Sequence, residues 1–295
     1  LPGVEAILTG RDLAEHCAPW KADHAMFADL DSPLQYPMAV DVARWQGEPV
    51  VMVLADSRAV AEDAVGLIEV EWEELPAIVD SVADLADGAA ILHPDKTSNL
   101  ALERRLGDDG VEAALAGAAL VVEETFTFGR HTGVPLEPRA IIASYEPGEA
   151  QLTVQQSHQA PHQQQELYAK LLDLQAHNVR VICDDVGGAF GIKLQFHGDE
   201  AAVAVAAKML SRPVRFTADR LESFTSDVHA RDHKVTARMG FDADGRILGL
   251  DLDDIFAIGP YSQYPRASVM ESSHILQLTA APYRMPAYRG RARVV

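Results

Sequence analysis

Two cysteines among 295 residues leave little room for cysteine chemistry. Cys17 and Cys183 stand alone, with no C-x-x-C and no ligand spacing for zinc or an iron–sulfur cluster, so the chain carries no such centre of its own. A reducing compartment, the cytoplasm, is the expectation. Basic residues are also in deficit: 25 Lys and Arg against 44 Asp and Glu leave a formal charge of −19. That balance argues against nucleic acid, which selects basic surfaces, and is what an ordinary soluble protein carries. No window approaches the roughly 18 uninterrupted apolar residues of a membrane span, and the run Ala201–Ala207 is far too short. The common phosphate-binding loops are missing too. Ile192 separates Gly191 from Lys193 and Leu194 follows, which breaks a P-loop; Gly187, Gly188 and Gly191 do not fit G-x-G-x-x-G.

What is present is a chain with 48% hydrophobic residues and about two domains' worth of length. The first part reads as α/β. Val4–Thr9 is strand-like, and Thr9 is placed to cap a short helix through Leu13. Pro49–Ala55 is a continuous apolar run, the pattern of a strand covered on both faces, and is followed by helical spacing from Arg58 to Ile68. Ile68–Trp72 reads as a returning strand, with Glu69, Glu71, Glu73 and Glu74 on a solvated sheet face. The polar stretch His93–Asn99 makes a linker, so the domains are expected at 1–97 and 98–295. In the second, a short helix spans Val111–Ala118. Strands are expected at 120–128, 140–145, 151–155, 179–183, 213–217, 233–241 and 247–256, with helices at 161–172 and 201–210. Arg291–Val295 is again strand-like, and both chain ends read as cuts.

Two segments carry chemistry. Gln159-Ala160-Pro161-His162 precedes a helix, and Val186-Gly187-Gly188-Ala189-Phe190-Gly191-Ile192-Lys193 follows a strand. Two glycines and an alanine before a phenylalanine let a backbone turn approach something large and flat with its N–H groups free to donate. Gln159 adds an amide donor from a separate segment. Together they read as a clamp for an oxygen-rich cofactor. Taken singly, the glutamine is also what a helix-proximal residue satisfying backbone would look like, and the glycine turn an ordinary strand-to-helix connection. Cys183 reads as a core thiol. His229 and His233 are four apart, but Asp232-His233-Lys234-Val235 reads as the start of a strand and not as a metal-binding helix. His158 and His162 read as walls of the cofactor cleft.

Leu152 to His162, in the pattern L-T-V-x-x-S-x-Q-A-P-H, and the G-G-A-F-G turn after it resemble the molybdenum-binding subunit of the xanthine dehydrogenase, aldehyde oxidoreductase and carbon monoxide dehydrogenase family. The resemblance covers nearly the whole chain. It implies a mixed α/β fold, a small hammerhead-type α/β domain followed by the first part of a molybdopterin-binding α/β domain. It implies that Gln159, Gly188, Ala189, Phe190 and Gly191 bind molybdopterin, in its cytosine dinucleotide form. Gln159 would be a side-chain donor to the oxo ligand of molybdenum, and the N–H at Phe190 would face the same region. Phe190 could also offer its ring to a planar substrate, or simply be a core phenylalanine. The implied activity is water-dependent oxidation of an aldehyde or N-heteroaromatic C–H. Electrons would pass to [2Fe-2S] clusters and FAD on an iron–sulfur subunit and a flavin subunit, in a dimer of heterotrimers.

The chain also departs from the family's pattern. Where purine-oxidising members carry a glutamate after G-G-x-F-G-x-K, Leu194 stands here, and His274 replaces a substrate-facing arginine, so a purine is disfavoured. Glu137, in Pro135-Leu136-Glu137-Pro138-Arg139, reads as structural and paired to Arg139. Nothing matches the G-x-G-E loop that holds the family's base, which would lie beyond Val295, so no catalytic residue is expected here and the piece is not competent alone. The alternative is a non-catalytic scaffold, or half of a split molybdopterin subunit, docking the redox partners.

Overall fold

The computed structural model describes residues 1–265, 268–280 and 282–295. In chain order the first elements are β1 (Val4–Thr9), α1 (Gly10–Ala14), β2 (Val51–Ala55), α2 (Arg58–Val65), β3 (Leu102–Gly107), α3 (Gly110–Ala116) and β4 (Leu120–Phe128). There follow β5 (Ala140–Glu146), β6 (Gln151–Gln156), α4 (Pro161–Leu172), β7 (Val179–Ile182), α5 (Gly198–Leu210), β8 (Val214–Thr217) and α6 (Arg220–Ser226). The last are β9 (His233–Phe241), β10 (Ile247–Phe256), α7 (Met270–Leu278) and β11 (Ala287–Val294). This is the mixed α/β class. The elements form two compact units that do not follow a single cut in the chain. One comprises Leu1–Lys21, Leu34–Leu75 and Thr132–His229; the other comprises Ala22–Pro33, Pro76–His131 and Ala230–Val295.

The first unit is built on a four-stranded sheet in the order β7-β6-β5-β8. β5 and β6 form an antiparallel hairpin, whereas β6 and β7 are parallel, with Leu152 opposite Val179 and Gln155 opposite Ile182. A parallel pair needs a crossover, and α4 supplies it. Pro161 at its first turn needs no N–H there, and Leu167, Tyr168, Leu171 and Leu172 on one face are buried. α5 lies against β5 and β8, and its Ala201–Ala207 stretch is buried all round, which is why it reads as an apolar run.

At the amino end of α5 the core takes in charge. Arg139, just before β5, is 1% exposed. Its guanidinium holds both oxygens of Asp199 at 2.6 Å and Asp227 Oδ1 at 2.6 Å, with Glu200 Oε1 at 3.5 Å. Burial alone would push the Asp199 carboxyl up, but the bidentate arginine holds it below the usual range. Glu200 has no hydrogen-bond partner for either oxygen among the described residues, and burial pushes its carboxyl up.

The same unit holds the small antiparallel pair β1-β2, followed by α1 and α2 respectively. Thr9 caps α1 in a full capping box with Asp12. Two expectations are corrected here. β2 pairs only with β1 and buries only Leu54, so the apolar run is not covered on both faces. Ile68–Trp72 forms no strand: it has no partner ladder among the described residues, and Val70, Trp72 and Leu75 are exposed.

The second unit is a five-stranded sheet in the order β3-β11-β10-β9-β4. Alternation explains the Arg-x-Arg-x-Arg run of β11. Ala292 turns inward to Val235, Leu252 and Leu276, while on the opposite face Arg289 meets Asp251, Arg291 meets Glu103 and Arg293 meets Asp253. His233 opens β9 as a buried residue, stacked on Phe256 and bonded through Nδ1 to Asp254 at 2.9 Å. Among the described residues no group of three His, Cys, Asp or Glu side chains is placed to hold a metal ion.

The arginine cluster yields a stability prediction. Arg139→Met leaves Asp199 and Asp227 without their counter-charge and is expected to cost about 3–5 kcal/mol in denaturant unfolding. A loss below about 1 kcal/mol would mean the guanidinium is dispensable.

Candidate functional site

Because β6 and β7 are parallel, the segments after both strands leave the sheet at the same end. The segment after β6 carries Ser157, His158 and Gln159; the one after β7 carries the glycine turn. β5 runs the other way, so residues 135–139, which lead into it, arrive at this end as well. The carboxyl ends of parallel strands are where open α/β sheets bind ligands, and here the topology delivers three loops to that place.

Main-chain contacts join them. Gln159 N–H donates to the Lys193 carbonyl at 2.8 Å, which ties the glutamine to the far end of the glycine turn. The Gln159 side chain is exposed, and its carboxamide has no partner among the described residues. In the turn, Gly188 and Gly191 take φ of +95° and +91°, and Phe190 takes +52°, a conformation that needs surrounding support in a non-glycine residue. The N–H groups of Gly188, Ala189, Phe190 and Gly191 donate to nothing among the described residues. Phe190 is 76% exposed, so it is not a core phenylalanine.

A carboxylate supports this turn. Glu137 Oε2 accepts from Lys193 Nζ at 2.6 Å, from Ser157 Oγ at 2.5 Å and from Gly187 N–H at 2.8 Å. Glu137 N–H in turn donates to the Gly187 carbonyl at 3.3 Å. Burial pushes the Glu137 carboxyl up, yet the three donors outweigh it and hold its pKa at about 2. The expected pairing of Glu137 with Arg139 is therefore corrected. Arg139 turns into the core to Asp199 and Asp227, and the glutamate takes Lys193, whose side chain is fully buried. Arg220 completes the support by donating to the carbonyls of Pro135 and Leu136, both at 2.9 Å.

Ser157 and Lys193 were given no role from sequence, and Gly187 was read only as one of the two glycines of the turn. A Cβ on Gly187 would stand 2.7 Å from the Glu137 Cβ, so this glycine is needed for close approach and not for its φ. Lys193 carried a signal in retrospect: a lysine between Ile192 and Leu194 in a buried stretch requires a carboxylate.

The histidines divide. His162 is exposed on α4, but His158 is 2% exposed and sits in the core, which corrects its reading as a cleft wall. Its Nδ1 accepts from Ala160 N–H at 3.0 Å, which puts the ring proton on Nε2, where it donates to the Gln195 carbonyl at 3.2 Å. His158 thus fixes the backbone on either side of Gln159. His197 does the same for the turn, with Nε2 bonded to the Ile192 carbonyl at 2.9 Å. Burial lowers their pKa values to about 4 and about 3, so both rings are neutral. Cys183 lies half-buried just past β7, and burial pushes its thiol up, away from reactivity. Leu194 is half-buried, and His274 is exposed on α7.

Comparison with known proteins places this architecture. The molybdopterin cofactor-binding domain family matches residues 92–295, and the hammerhead domain of aldehyde oxidase and xanthine dehydrogenase matches residues 1–76. The class is thus a molybdopterin-binding protein. More narrowly, the chain belongs to the molybdenum-binding large-subunit family of xanthine dehydrogenase, aldehyde oxidoreductase and carbon monoxide dehydrogenase. It is 33% identical to the gamma subunit of the 6-hydroxypseudooxynicotine dehydrogenase complex of Paenarthrobacter nicotinovorans, over 97% of this chain and 36% of that one. It is 30% identical to the carbon monoxide dehydrogenase large chain of Hydrogenophaga pseudoflava, over 88% of this chain and 33% of that one. Quinoline 2-oxidoreductase from Pseudomonas putida 86 has a solved structure that superposes with a TM-score of 0.92 at 33% identity, covering all of this chain and 37% of that one. The chain spans about a third of the length of the curated relatives it matches.

The two neutral histidines set a pH dependence. Their folded pKa values lie below the unfolded value of about 6.5, so the unfolded chain binds protons that the folded chain does not. Their contribution is full above pH 6.5 and is expected to fall by about 1.4 kcal/mol per pH unit for each ring as the pH drops toward 4. Urea unfolding of wild type against a His158→Gln and His197→Gln double variant checks it: the double variant should show a shallower pH slope in that window.

Proposed function

We propose that the three loops at the carboxyl ends of β6 and β7 hold the molybdopterin of a molybdenum hydroxylase large subunit, in its cytosine dinucleotide form. The observation that carries this reading is a run of four N–H donors, Gly188 to Gly191, at the same end of the sheet as the carboxamide of Gln159, none of them with a partner among the described residues. These are the groups an oxygen-rich, anionic ligand requires, and the absence of a Cβ at Gly187 lets the turn close on Glu137, which holds it in place. Gln159, Gly188, Ala189, Phe190 and Gly191 would hold the cofactor, with Gln159 and the N–H at Phe190 as donors toward the oxygen ligand of the metal. When bound, the cofactor supplies the two-electron chemistry that oxidises a C–H bond with oxygen from water. The chain's own residues bind and orient; the base belongs to a part of the subunit outside this sequence.

The substrate we infer is a small aldehyde or N-heteroaromatic compound, with the second favoured. The exposed Phe190 ring suits a planar molecule, Leu194 removes the carboxylate that a purine would need, and two relatives are named for quinoline and nicotine. Electrons leave through [2Fe-2S] clusters and FAD on partner subunits. Relatives named as a gamma subunit of a complex and as large subunits support a multi-subunit assembly, which we read as a cytoplasmic dimer of heterotrimers. Within the subunit we take residues 1–97 as the hammerhead domain and 98–295 as the cofactor-binding part.

Metal analysis of the full-length subunit purified with its partners tests the reading. One molybdenum per subunit is the expected result, and Gln159→Ala should lower activity or metal retention by about 10–100-fold. A complex with native subunit stoichiometry and no molybdenum would point to the scaffold role instead. For the substrate, Phe190→Ala should raise KM for an N-heteroaromatic compound about two- to twelve-fold, the equivalent of about 0.5–1.5 kcal/mol of ring contact, while leaving KM for an aliphatic aldehyde unchanged.

A further inference from the structure

We propose that Glu137 and Lys193 form a charge pair that positions the cofactor cradle and sets the electrostatic field behind it. The proposal rests on the assignment of molybdopterin to this cradle. Neither residue offers a group to the ligand in the role argued here; both are positioning residues.

The geometry that carries it is the convergence of three segments on a single oxygen. Lys193 Nζ, Ser157 Oγ and Gly187 N–H all donate to Glu137 Oε2, at 2.6, 2.5 and 2.8 Å. Ser157 lies two residues before Gln159, Gly187 opens the turn, and Lys193 closes it. Every stretch that presents a free donor is therefore fastened to one carboxylate. Lys193 makes a second connection through its carbonyl, which accepts the Gln159 N–H at 2.8 Å. If Oε2 moves, both the glutamine and the turn lose an anchor.

The charges follow from burial. Lys193 is 0% exposed, so its ammonium has exchanged water for Glu137, and the two charges cancel at the base of the turn. Among the described residues Arg220 donates to the carbonyls of Pro135 and Leu136, and Arg139 is engaged by Asp199 and Asp227, so neither replaces a missing member of the pair. Removing one charge leaves the other uncompensated beside the cradle. An excess positive charge there stabilises a reduced, more negative centre, and an excess negative charge does the opposite.

Opposite signs are what separate this role from a merely structural one. In the full-length complex, Glu137→Gln keeps an acceptor for the three donors and leaves Lys193 charged, whereas Lys193→Met leaves Glu137 charged. The readouts are molybdenum and pterin content per assembled complex and the midpoint potential of the molybdenum followed by electron paramagnetic resonance. We expect content to fall about tenfold or more in each single variant. In the loaded fraction the potential rises in Glu137→Gln, falls in Lys193→Met and returns toward wild type in the double variant. Wild-type content with unchanged potentials, or shifts of the same sign in both, overturns the proposal. If either variant fails to assemble, Ser157→Ala decides: it removes one donor and no charge, and a severalfold loss of cofactor retention supports the role while full retention overturns it. A wild-type complex without molybdenum is a different outcome, which removes the cofactor assignment itself.

Discussion

The site depends on two short strands running in the same direction. Four residue pairs join β6 to β7, from Leu152 with Val179 to Gln155 with Ile182, and this parallel register makes the chain leave both strands at one end of the sheet. Antiparallel pairing would have sent Gln159 and the glycine turn to opposite ends. The parallel arrangement needs α4 as a crossover, and α4 is held down by an apolar face that includes Leu167, Leu171 and Leu172. Hydrophobic burial some distance from the site thus determines which polar groups meet in it.

Around that end of the sheet, two buried histidines and two buried cations hold the segments that carry the site. His158 and His197 are neutral because burial disfavours their charged forms, and as neutral rings they hold the backbone beside Gln159 and at Ile192. Arg139 and Lys193 are each met by carboxylates, Asp199 and Asp227 for the first and Glu137 for the second. The groups left over are those that face outward: the Gln159 carboxamide, the Phe190 ring and the N–H row from Gly188 to Gly191. A cradle with fixed walls and free donors is pre-organised for a ligand, since little reordering accompanies binding.

Membership of the molybdenum-binding large-subunit family gives that pre-organisation a chemical context. The superposition on quinoline 2-oxidoreductase covers the whole chain but only 37% of the other protein, so this chain corresponds to about a third of such a subunit. The supporting network of Glu137, Lys193 and Ser157 involves neither Leu194 nor His274 among the described residues.

Periodicity alone determined most elements of this protein. The bounds of β1, β4, α4, β9 and β10 could be read from residue order because caps, alternation and a proline act within a few residues. The glycine turn was legible for the same reason, since a positive φ is a local demand. Ile68–Trp72 was misleading because alternation specifies a strand only where a partner ladder exists, and that is a long-range condition. Partner choice had the same limit. Glu137 stands two residues from Arg139 in sequence, yet takes Lys193, 56 residues away, because the fold turns Arg139 into the core and brings Lys193 beneath the turn. What sequence determined by itself was the kind of ligand the donors suit; which residues hold those donors in place was decided only by tertiary structure, because desolvation is a property of surroundings that distant segments supply.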